Sequence, residues 1–221
     1  MKSQTSVVVA ALVGILTVFG VSGCSEYEKL RKGVDELSHP DNGPAPLSDQ
    51  QEIKLIDSMR SKGSFEAARD RLTNTAQAIA EQISAAIPGQ SWKFGDGEYA
   101  TDAYKDGSLC DKLDPGIVRR PKAKPVDFGS PFTADGFKTA VDIVRHAATK
   151  YGATVQSSLF NESAKRDYDV QGNGYEFRIL QIKTAGLDIT GDCRLLQKVI
   201  DLPPGQLPPE PPIVPTTTTS P

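Results

Sequence analysis

The chain has 221 residues, in which 28 acidic residues outnumber 25 basic ones, so that its formal net charge is −3 at pH 7. No run of lysine and arginine interrupts this mild acidity, which argues against nucleic acid and anionic lipid headgroups as partners. Only 2 histidines and 3 cysteines are present, and no GxSxG, HExxH, P-loop or GxGxxG motif occurs. The sequence therefore predicts no catalytic residue, no cofactor and no metal site.

The first 24 residues predict export and lipidation. Lys2 precedes an apolar run over residues 7–21, which has the length of a signal-peptide core and is shorter than the roughly 18–20 residues of a membrane-spanning helix. Val21-Ser22-Gly23-Cys24 resembles the bacterial lipobox, in which small side chains admit the processing peptidase and the thiol accepts diacylglycerol. Cleavage then leaves Cys24 as an N-acylated, for example palmitoylated, N-terminus. The alternative is an ordinary signal peptide or membrane helix with an incidental cysteine.

Lipidation at Cys24 predicts a protein on the extracytoplasmic face of the cell membrane. Two or three acyl chains hold a protein on a bilayer almost permanently, without any spanning segment. Removing residues 1–23 takes away one lysine and no acid, so the charge moves from −3 to −4. Residues 24–47 hold several prolines and glycines and few apolar side chains, which predicts a flexible linker that lifts the following domain off the membrane.

Ordered structure is predicted to begin with two helices. Ser48 and Gln51 match a capping box, and apolar residues continue at helical spacing until Lys62-Gly63. Ser64 caps the strongest predicted helix, over residues 65–87, in which apolar residues step by three or four into a single stripe. Polar residues lie opposite that stripe, and a Pro-Gly pair ends the helix.

A less regular region separates this helix from the second main helix. Residues 90–94 alternate in polarity and predict a short strand. A stretch rich in glycine and aspartate follows as far as Pro131, and its weak periodicity predicts irregular structure. Thr133 caps the second main helix, which is predicted to run to Tyr151 and to stop at Gly152.

The hydrophobic period changes to two after this helix, which predicts strands over residues 154–160, 166–171, 175–184 and 187–190. Gly172-Asn173-Gly174 separates the second and third of them, and Asn-Gly between alternating runs is a strong hairpin signal. Apolar residues move from odd to even positions beyond Ile179, which predicts either a β-bulge there or a strand buried on both faces. Residues 195–200 are ambiguous between strand and helix.

The chain ends in a segment, 201–221, that contains half of all the prolines and a run of threonines. This composition predicts a disordered, polyproline-like tail, and the threonines are candidate O-glycosylation sites. The part between linker and tail, residues 48–200, is predicted to form one α+β domain. In it, two main amphipathic helices pack on a mostly antiparallel sheet.

The cysteine count predicts a disulfide. Because Cys24 is used for the lipid, Cys110 and Cys193 are the two thiols left in an oxidising compartment, where they most simply pair with each other. A redox pair or a set of metal ligands is the alternative. It is disfavoured because 82 residues separate the two cysteines and no CxxC motif or histidine partner accompanies them.

A family resemblance rests on five stretches of the chain, residues 62–72, 87–93, 150–154, 158–177 and 201–212. These stretches are similar to the mycobacterial-type lipoproteins called LppA, LppB and LppV, and together they span most of the mature chain. The resemblance implies a cell-membrane lipoprotein of unassigned activity, and it brings no catalytic residues with it.

Four groups of residues are candidate sites of chemistry or contact. His146 follows Asp142 by one helical turn, as in part of a catalytic dyad, but a surface pair is favoured. Several carboxylates lie in the hairpin region close to two arginines: Glu162, Asp167, Asp169 and Glu176, with Arg166 and Arg178. Two of these carboxylates could act as the acid and the base of a glycan hydrolase. The favoured interpretation is that they are charges on the solvent face of the sheet with cross-strand partners. Asp96-Gly97 and Asp106-Gly107 favour turns over calcium loops. Trp92, Phe94, Tyr99 and Tyr104 are either core or an exposed contact surface.

These features favour a non-enzymatic module that binds an envelope protein or glycan from its membrane anchor. An envelope lipid carrier is the alternative, and it requires a large apolar cavity. A carboxylate-based glycan hydrolase is a third hypothesis, and it requires a convergent pair of acids in a cleft.

Overall fold

A computed structural model describes residues 47–209 except residue 164, without the Tyr99 side chain. Within this part of the chain, none of the helices combines the length and the apolar character that crossing a membrane requires. The predicted signal peptide, the lipidation site at Cys24, the linker up to residue 46 and the threonine run of the tail lie outside the described residues.

The helices follow the caps and apolar spacing of the sequence. Ser64 Oγ accepts a hydrogen bond from the Ala67 N–H at 3.2 Å, and Thr133 Oγ1 accepts one from the Gly136 N–H at 3.1 Å, so both predicted N-caps are confirmed. The helices are α1 (Asp49–Met59), α2 (Phe65–Ala86), α3 (Glu98–Asp106), α4 (Ala134–Thr149) and α5 (Gln197–Ile200).

The strands form two antiparallel sheets. A six-stranded sheet has the order β1-β3-β7-β6-β5-β4, and β2 pairs with β8 in a small second sheet. The strands are β1 (Trp92–Phe94), β2 (Val118–Arg119), β3 (Val126–Phe128), β4 (Val155–Ser157), β5 (Arg166–Gly172), β6 (Tyr175–Gln181), β7 (Ala185–Thr190) and β8 (Arg194–Leu195). The predicted α+β class with a mostly antiparallel sheet is confirmed.

The main core lies between one face of the large sheet and helices α2 and α4. Alternate residues of β6 and β7 point into it, and Phe177 at the centre of β6 is 0% exposed. The predicted stripe of α2 supplies the facing layer, and α4 contributes a second stripe. Fully buried members of this core include Leu72, Ile79, Ile83, Val144, Ile179, Leu187 and Ile189.

A smaller core joins α1 to the second sheet. Ile56 of α1, Val118 of β2 and Val199 of α5 are buried together, and Cys110 and Cys193 pack against them. The two cysteine sulfurs are 2.03 Å apart, so the predicted disulfide is present in the structure. It ties the loop after α3 to the start of β8.

The β5–β6 hairpin turns at Asn173-Gly174, as the sequence predicts. Asn173 and Gly174 have φ values of 49° and 80°, which is the pair of left-handed residues that a type I′ turn needs. Gly172, at the end of β5, approaches the end of α4 so closely that a Cβ on it would lie 2.4 Å from the Gly152 carbonyl oxygen. The hairpin tip is therefore held against the C-terminal turn of α4.

We expect Gly172→Ala to lower the free energy of unfolding by about 1–3 kcal/mol, the usual cost of forcing atoms into occupied space. The added methyl group meets backbone atoms, so the hairpin tip or the end of α4 has to move. Urea unfolding measures the loss, and Gly97→Ser is a suitable control because a Cβ at Gly97 meets nothing within 4 Å. An unchanged midpoint for Gly172→Ala would contradict this close approach.

Several local predictions are wrong. The stretch predicted to be irregular contains α3 and two strands, and β3 lies inside the large sheet. The register between β5 and β6 runs unbroken from Gly172↔Tyr175 to Arg166↔Gln181, so there is no bulge at Ile179. Ile182 breaks the sequence pattern because it lies beyond the end of β6. The ambiguous segment 195–200 divides into the end of β8 and the short helix α5.

The first part of the predicted disordered tail is bound to α1 and to Arg60, the residue that follows it. The Arg60 guanidinium donates to the carbonyl oxygens of Ile200 and Leu202, both at 2.9 Å, and Asp57 accepts the Gly205 N–H at 3.1 Å. Contacts with the folded domain therefore continue beyond residue 200, as far as Gly205. Proline content alone misses these contacts because the segment is held through its backbone, by carbonyl groups, which proline retains, and by the N–H of Gly205.

Candidate functional site

An open cleft of about 970 Å³ lies between α2, the C-terminal end of α4 and the tip of the β5–β6 hairpin. The lining residues that the structure describes include no aspartate, glutamate, histidine or cysteine. The charged and aromatic side chains among them are Lys62, Arg71, Lys150, Arg194, Tyr151 and Tyr175. We refer to this site as the basic cleft.

Two tyrosines form one wall of the basic cleft. The ring centroids of Tyr151 and Tyr175 are 4.9 Å apart, and Tyr151 also packs on Phe177 of the core at 5.4 Å. The Tyr151 hydroxyl is 2.6 Å from Thr75 Oγ1 on α2. Both rings are half-buried, so this wall is fixed by the core beneath it.

Arg194 carries the most unusual charge in the basic cleft. The residue is only 8% exposed, and its guanidinium donates to the Tyr175 hydroxyl at 2.7 Å and to the Lys62 carbonyl oxygen. Its Nε–H has no acceptor, and no ion pair within the described part of the chain includes it. A buried guanidinium is normally matched by a carboxylate or another anion.

The other cations of the basic cleft differ in their partners. Lys62 Nζ lies 2.7 Å from Asp192 Oδ2, so its charge is matched. Arg71 and Lys150 are exposed at the mouth, and the ion pairs found among the described residues include neither of them. The cleft therefore presents three unmatched positive charges on a protein whose net charge is negative.

A second cleft, of about 490 Å³, lies on the face of the large sheet that faces away from α2 and α4. Asp169 of β5, Arg178 of β6 and Asp188 of β7 form one row across this face. The charged lining residues are Arg120, Lys122, Arg178, Asp127, Glu176 and Asp188. Its positive and negative charges balance, in contrast to those of the basic cleft.

Two carboxyl groups of this outer-face cleft have raised pKa values. Burial is the largest cause of the raised pKa of Glu176, and the neighbouring Asp169 carboxyl raises that pKa further. The positive charges of Arg120 and Arg178 act in the opposite direction and lower it. Loss of surrounding water also raises the pKa of Asp188. Glu176 is thus a carboxyl whose surroundings, burial above all, favour its protonated form.

We expect Glu176→Gln to raise the free energy of unfolding at pH 7 by about 0.2–1 kcal/mol, the range for charged cross-strand neighbours. The pKa of Glu176 is higher in the folded than in the unfolded state, so the wild type loses stability as pH rises through the folded pKa. The advantage of the variant should therefore disappear below pH 4.5, the ordinary pKa of this group. Urea unfolding at both pH values tests this, and equal stability at pH 7 would contradict it.

The predicted carboxylate cluster does not converge as a whole. Asp167 is only 4% exposed, and its Oδ1 accepts the N–H groups of Leu159 at 2.9 Å and Phe160 at 2.6 Å, so it holds the loop before β5. Glu162 is exposed on that loop. Only Asp169 and Glu176 come together, at the edge of the outer-face cleft.

The dyad alternative for His146 is wrong. His146 is exposed on α4, and Asp142 Oδ1 instead lies 2.5 Å from Arg145 Nη2. Asp96-Gly97 and Asp106-Gly107 flank α3, where the two glycines occupy its N-cap and C-cap. Across the described residues, no group of three or more potential metal-ligating side chains is found.

The predicted aromatic cluster divides into two parts. Trp92 and Phe94 are half-buried, pack edge to face at 5.2 Å and cover the main core. Tyr104 is not part of the main core; it lies between Arg69 at 4.5 Å and Lys124 at 5.1 Å, and Lys124 also lies over the Phe94 ring at 5.9 Å. The core interpretation therefore holds for the first pair, whereas the Tyr99 side chain lies outside the described part.

The residues of the basic cleft were not singled out by the sequence. Arg71, Lys150 and Arg194 are far apart in the chain and each follows an ordinary pattern in its own element. The sequence holds one signal for Arg194. Because this arginine stands between Cys193 and Leu195, two residues of types that are usually buried, its charge is expected to be buried too.

Comparison with known proteins gives consistent matches. Residues 40–197 match the model of a family described as "LppA: Lipoprotein confined to pathogenic Mycobacterium". "Putative lipoprotein LppB" of Mycobacterium tuberculosis (strain ATCC 25618 / H37Rv) is 61% identical over 213 residues, which cover 96% of this chain and 91% of the relative. "Putative lipoprotein LppA" of the same strain is 58% identical over 213 residues, which cover 96% and 92%. A crystal structure of LppA from Mycobacterium tuberculosis has a TM-score of 0.71 and 67% identity, covering 72% of this chain and 95% of that one.

Proposed function

Because the chain belongs to the LppA lipoprotein family, we propose that it is a lipid-anchored, non-enzymatic binding module on the extracytoplasmic face of the cell membrane. The anchor is Cys24, which carries S-diacylglycerol and an N-acyl chain. Residues 24–47 act as the spacer between the bilayer and the folded domain. The partner is a component of the cell envelope.

The basic cleft is the observation that supports a binding role. It is large, open and held in shape by the core, through Phe177 beneath Tyr151 and through the hairpin tip against α4. Its described lining offers donors and aromatic rings but no carboxylate, histidine or thiol to serve as a general base or nucleophile. Such a lining suits recognition rather than acid–base chemistry.

The two other hypotheses fit the geometry less well. A lipid carrier needs an apolar cavity, whereas the basic cleft is lined largely by polar and charged side chains. Glycosidases hold their two carboxyls about 5–10 Å apart. Asp169 and Glu176 are neighbouring carboxyls on the outer face of the sheet, close enough for the charge of Asp169 to raise the pKa of Glu176. Arg120 and Arg178 lie beside Glu176 in the same cleft, so the pair is better described as part of a balanced charge network than as a separated acid and base.

The anchor is tested with Cys24→Ala in the full chain, expressed in a bacterium fed a clickable palmitate analogue. We expect the wild type to incorporate the label and the variant to lose it and to retain residues 1–23, because the thiol is the atom that accepts the lipid. Cys110→Ser is the matched control and should keep the label. Label on the Cys24→Ala protein would contradict the anchor.

The binding role is tested with the acylated full chain in nanodiscs of neutral lipid, probed by surface plasmon resonance with fractionated envelope polysaccharides and proteins. We expect at least one fraction to bind. Binding should fall in the exposed double variant Arg71→Ala/Lys150→Ala and persist in Lys54→Ala/Lys138→Ala, which removes the same charge from exposed positions outside the cleft. If no fraction binds the wild type, the proposed function is wrong.

A further inference from the structure

We infer that the ligand of the basic cleft is a sugar that carries an anionic group, a phosphate or a carboxylate. This inference rests on the proposed function and names the chemistry of its ligand. The anion lies against Arg194, between the exposed Arg71 and Lys150. The sugar ring lies on the wall formed by Tyr151 and Tyr175.

The charge of Arg194 is the first argument for an anion. A guanidinium has five N–H donors, and the two acceptors that the structure gives it, a carbonyl and a phenol hydroxyl, are both neutral. Leaving an N–H unpaired and a positive charge unmatched in a buried position is costly. A phosphate or carboxylate in the cleft supplies the missing charge, and it is an acceptor for the Nη N–H groups that the Lys62 carbonyl and the Tyr175 hydroxyl leave unpaired.

The electrostatic setting is the second argument. Asp192, the acid nearest in sequence to Arg194, is already engaged by Lys62. No acid lines the cleft among the described residues, so nothing within it competes for Arg71, Lys150 or Arg194. A pocket of positive potential on an otherwise acidic protein attracts small anions without making the whole surface adhere to polyanions.

The tyrosines are the argument for a sugar rather than a bare anion. The Tyr151 hydroxyl pairs with Thr75 Oγ1, and the Tyr175 oxygen accepts from Arg194, so besides the Tyr175 O–H the rings offer a ligand their apolar surface. The C–H face of a pyranose is apolar, whereas an inorganic phosphate gains nothing from such a wall. Asn74, Gln82 and Asn173 also line the cleft, and their amides both donate and accept, as the hydroxyls of a sugar require.

The size of the cleft excludes a bare ion as its full occupant. A volume of about 970 Å³ is at the upper end of small-molecule sites, and it is large enough for more than one sugar ring. The cleft is open to solvent, so an end or a branch of a longer glycan has access to it.

The test uses the acylated full chain in neutral-lipid nanodiscs and four probes: glucose 6-phosphate, glucuronate, glucose and inorganic phosphate. We expect glucose 6-phosphate, glucuronate or both to bind with a Kd of about 1 mM or tighter. Glucose and inorganic phosphate should each bind about tenfold more weakly or worse. The first two probes distinguish a phosphate ligand from a carboxylate ligand.

Two further readouts place the anion. Arg71→Ala/Lys150→Ala should weaken binding of the anionic sugar about tenfold or more, whereas Lys54→Ala/Lys138→Ala should leave it unchanged and so exclude an effect of net charge alone. The NMR signal of the Arg194 Nε–H should shift on addition of the anionic sugar. This readout needs no substitution of a buried residue, so it does not depend on a variant that fails to fold.

Equal binding of glucose and glucose 6-phosphate, or equal binding of inorganic phosphate, would overturn the ligand class while leaving the binding module intact. Anionic-sugar binding that survives Arg71→Ala/Lys150→Ala with no shift at Arg194 would overturn the site. If none of the four probes binds, this inference is wrong. The proposed function is overturned as well only if no envelope fraction binds the wild type.

Discussion

Replacing Cys110 and Cys193 together by serine should lower the free energy of unfolding by about 4–5 kcal/mol in the chain-entropy model of a cross-link. The bond joins residues 83 positions apart, so it removes a long loop from the disorder of the unfolded chain. It also ties the loop after α3 to the smaller core around Ile56. The total free energy of unfolding of such a domain is about 5–15 kcal/mol, so removing the disulfide should cost a large share of it.

Urea unfolding of the wild type, with and without a reducing agent, measures the effect. Reduced wild type should unfold at nearly the same urea concentration as the double serine variant, and reductant should not shift the variant further. Cys24→Ala should leave the transition unchanged, because its thiol takes no part in the bond. A loss below about 1 kcal/mol, within the range of engineered disulfides that contribute little, would contradict a cross-link that stabilises the fold.

Phe177→Ala should lower the free energy of unfolding by about 3–5 kcal/mol, the range for removing a buried aromatic side chain. Phe177 is 0% exposed and supports the Tyr151 ring at 5.4 Å. The cavity left by its ring therefore lies directly beneath the tyrosine wall of the basic cleft. The variant should lose ligand binding at temperatures at which it is still folded.

Thermal and urea unfolding report the loss of stability. Leu180→Ala is the matched control, because Leu180 is an apolar residue of the same strand on the opposite, half-buried face. Leu180→Ala should lower the free energy of unfolding by clearly less than Phe177→Ala does. Val155→Ala, at a position 69% exposed, should be close to neutral. If Leu180→Ala costs as much as Phe177→Ala, then the main core does not lie on the helix side of the sheet.

The sequence predicted the elements that carry a strong local signal. Helices α2 and α4 have long apolar stripes and side-chain caps at Ser64 and Thr133, and the hairpin has an Asn-Gly pair that selects a type I′ turn. The disulfide followed from counting, because the predicted lipidation at Cys24 leaves an even pair. In each case the information lies within a few residues of the chain or in its composition.

The elements that were missed lack such local signals. Strand β3 has only three residues, too few to show a period of two, and it belongs to the sheet through its pairing with the distant β7. Helix α3 is short and bounded by Gly97 and Gly107, so it resembles a run of turns. The change of apolar residues from odd to even positions beyond Ile179 left a bulge and a strand buried on both faces as alternatives, because the end of β6 is not marked in the sequence. The strand has no bulge, and its outer-face residues, Leu180 among them, are half-buried.

The basic cleft depends on tertiary structure alone. Its cations come from α2, from the end of α4 and from β8, and its tyrosines come from the residues that follow α4 and from β6. Locally, Arg71 is a polar residue of an amphipathic helix and Lys150 is a residue near a helix C-terminus. Their common feature, the absence of an acid between them, exists only after the chain has folded.

The most direct test of a binding module built around the basic cleft is the NMR chemical-shift map of the acylated full chain with the envelope fraction that it retains. We predict that the shifted signals cluster around Tyr151, Tyr175 and Arg194. Shifts that cluster instead around Glu176 and Arg178 on the outer face of the sheet, with none in the basic cleft, would contradict the account.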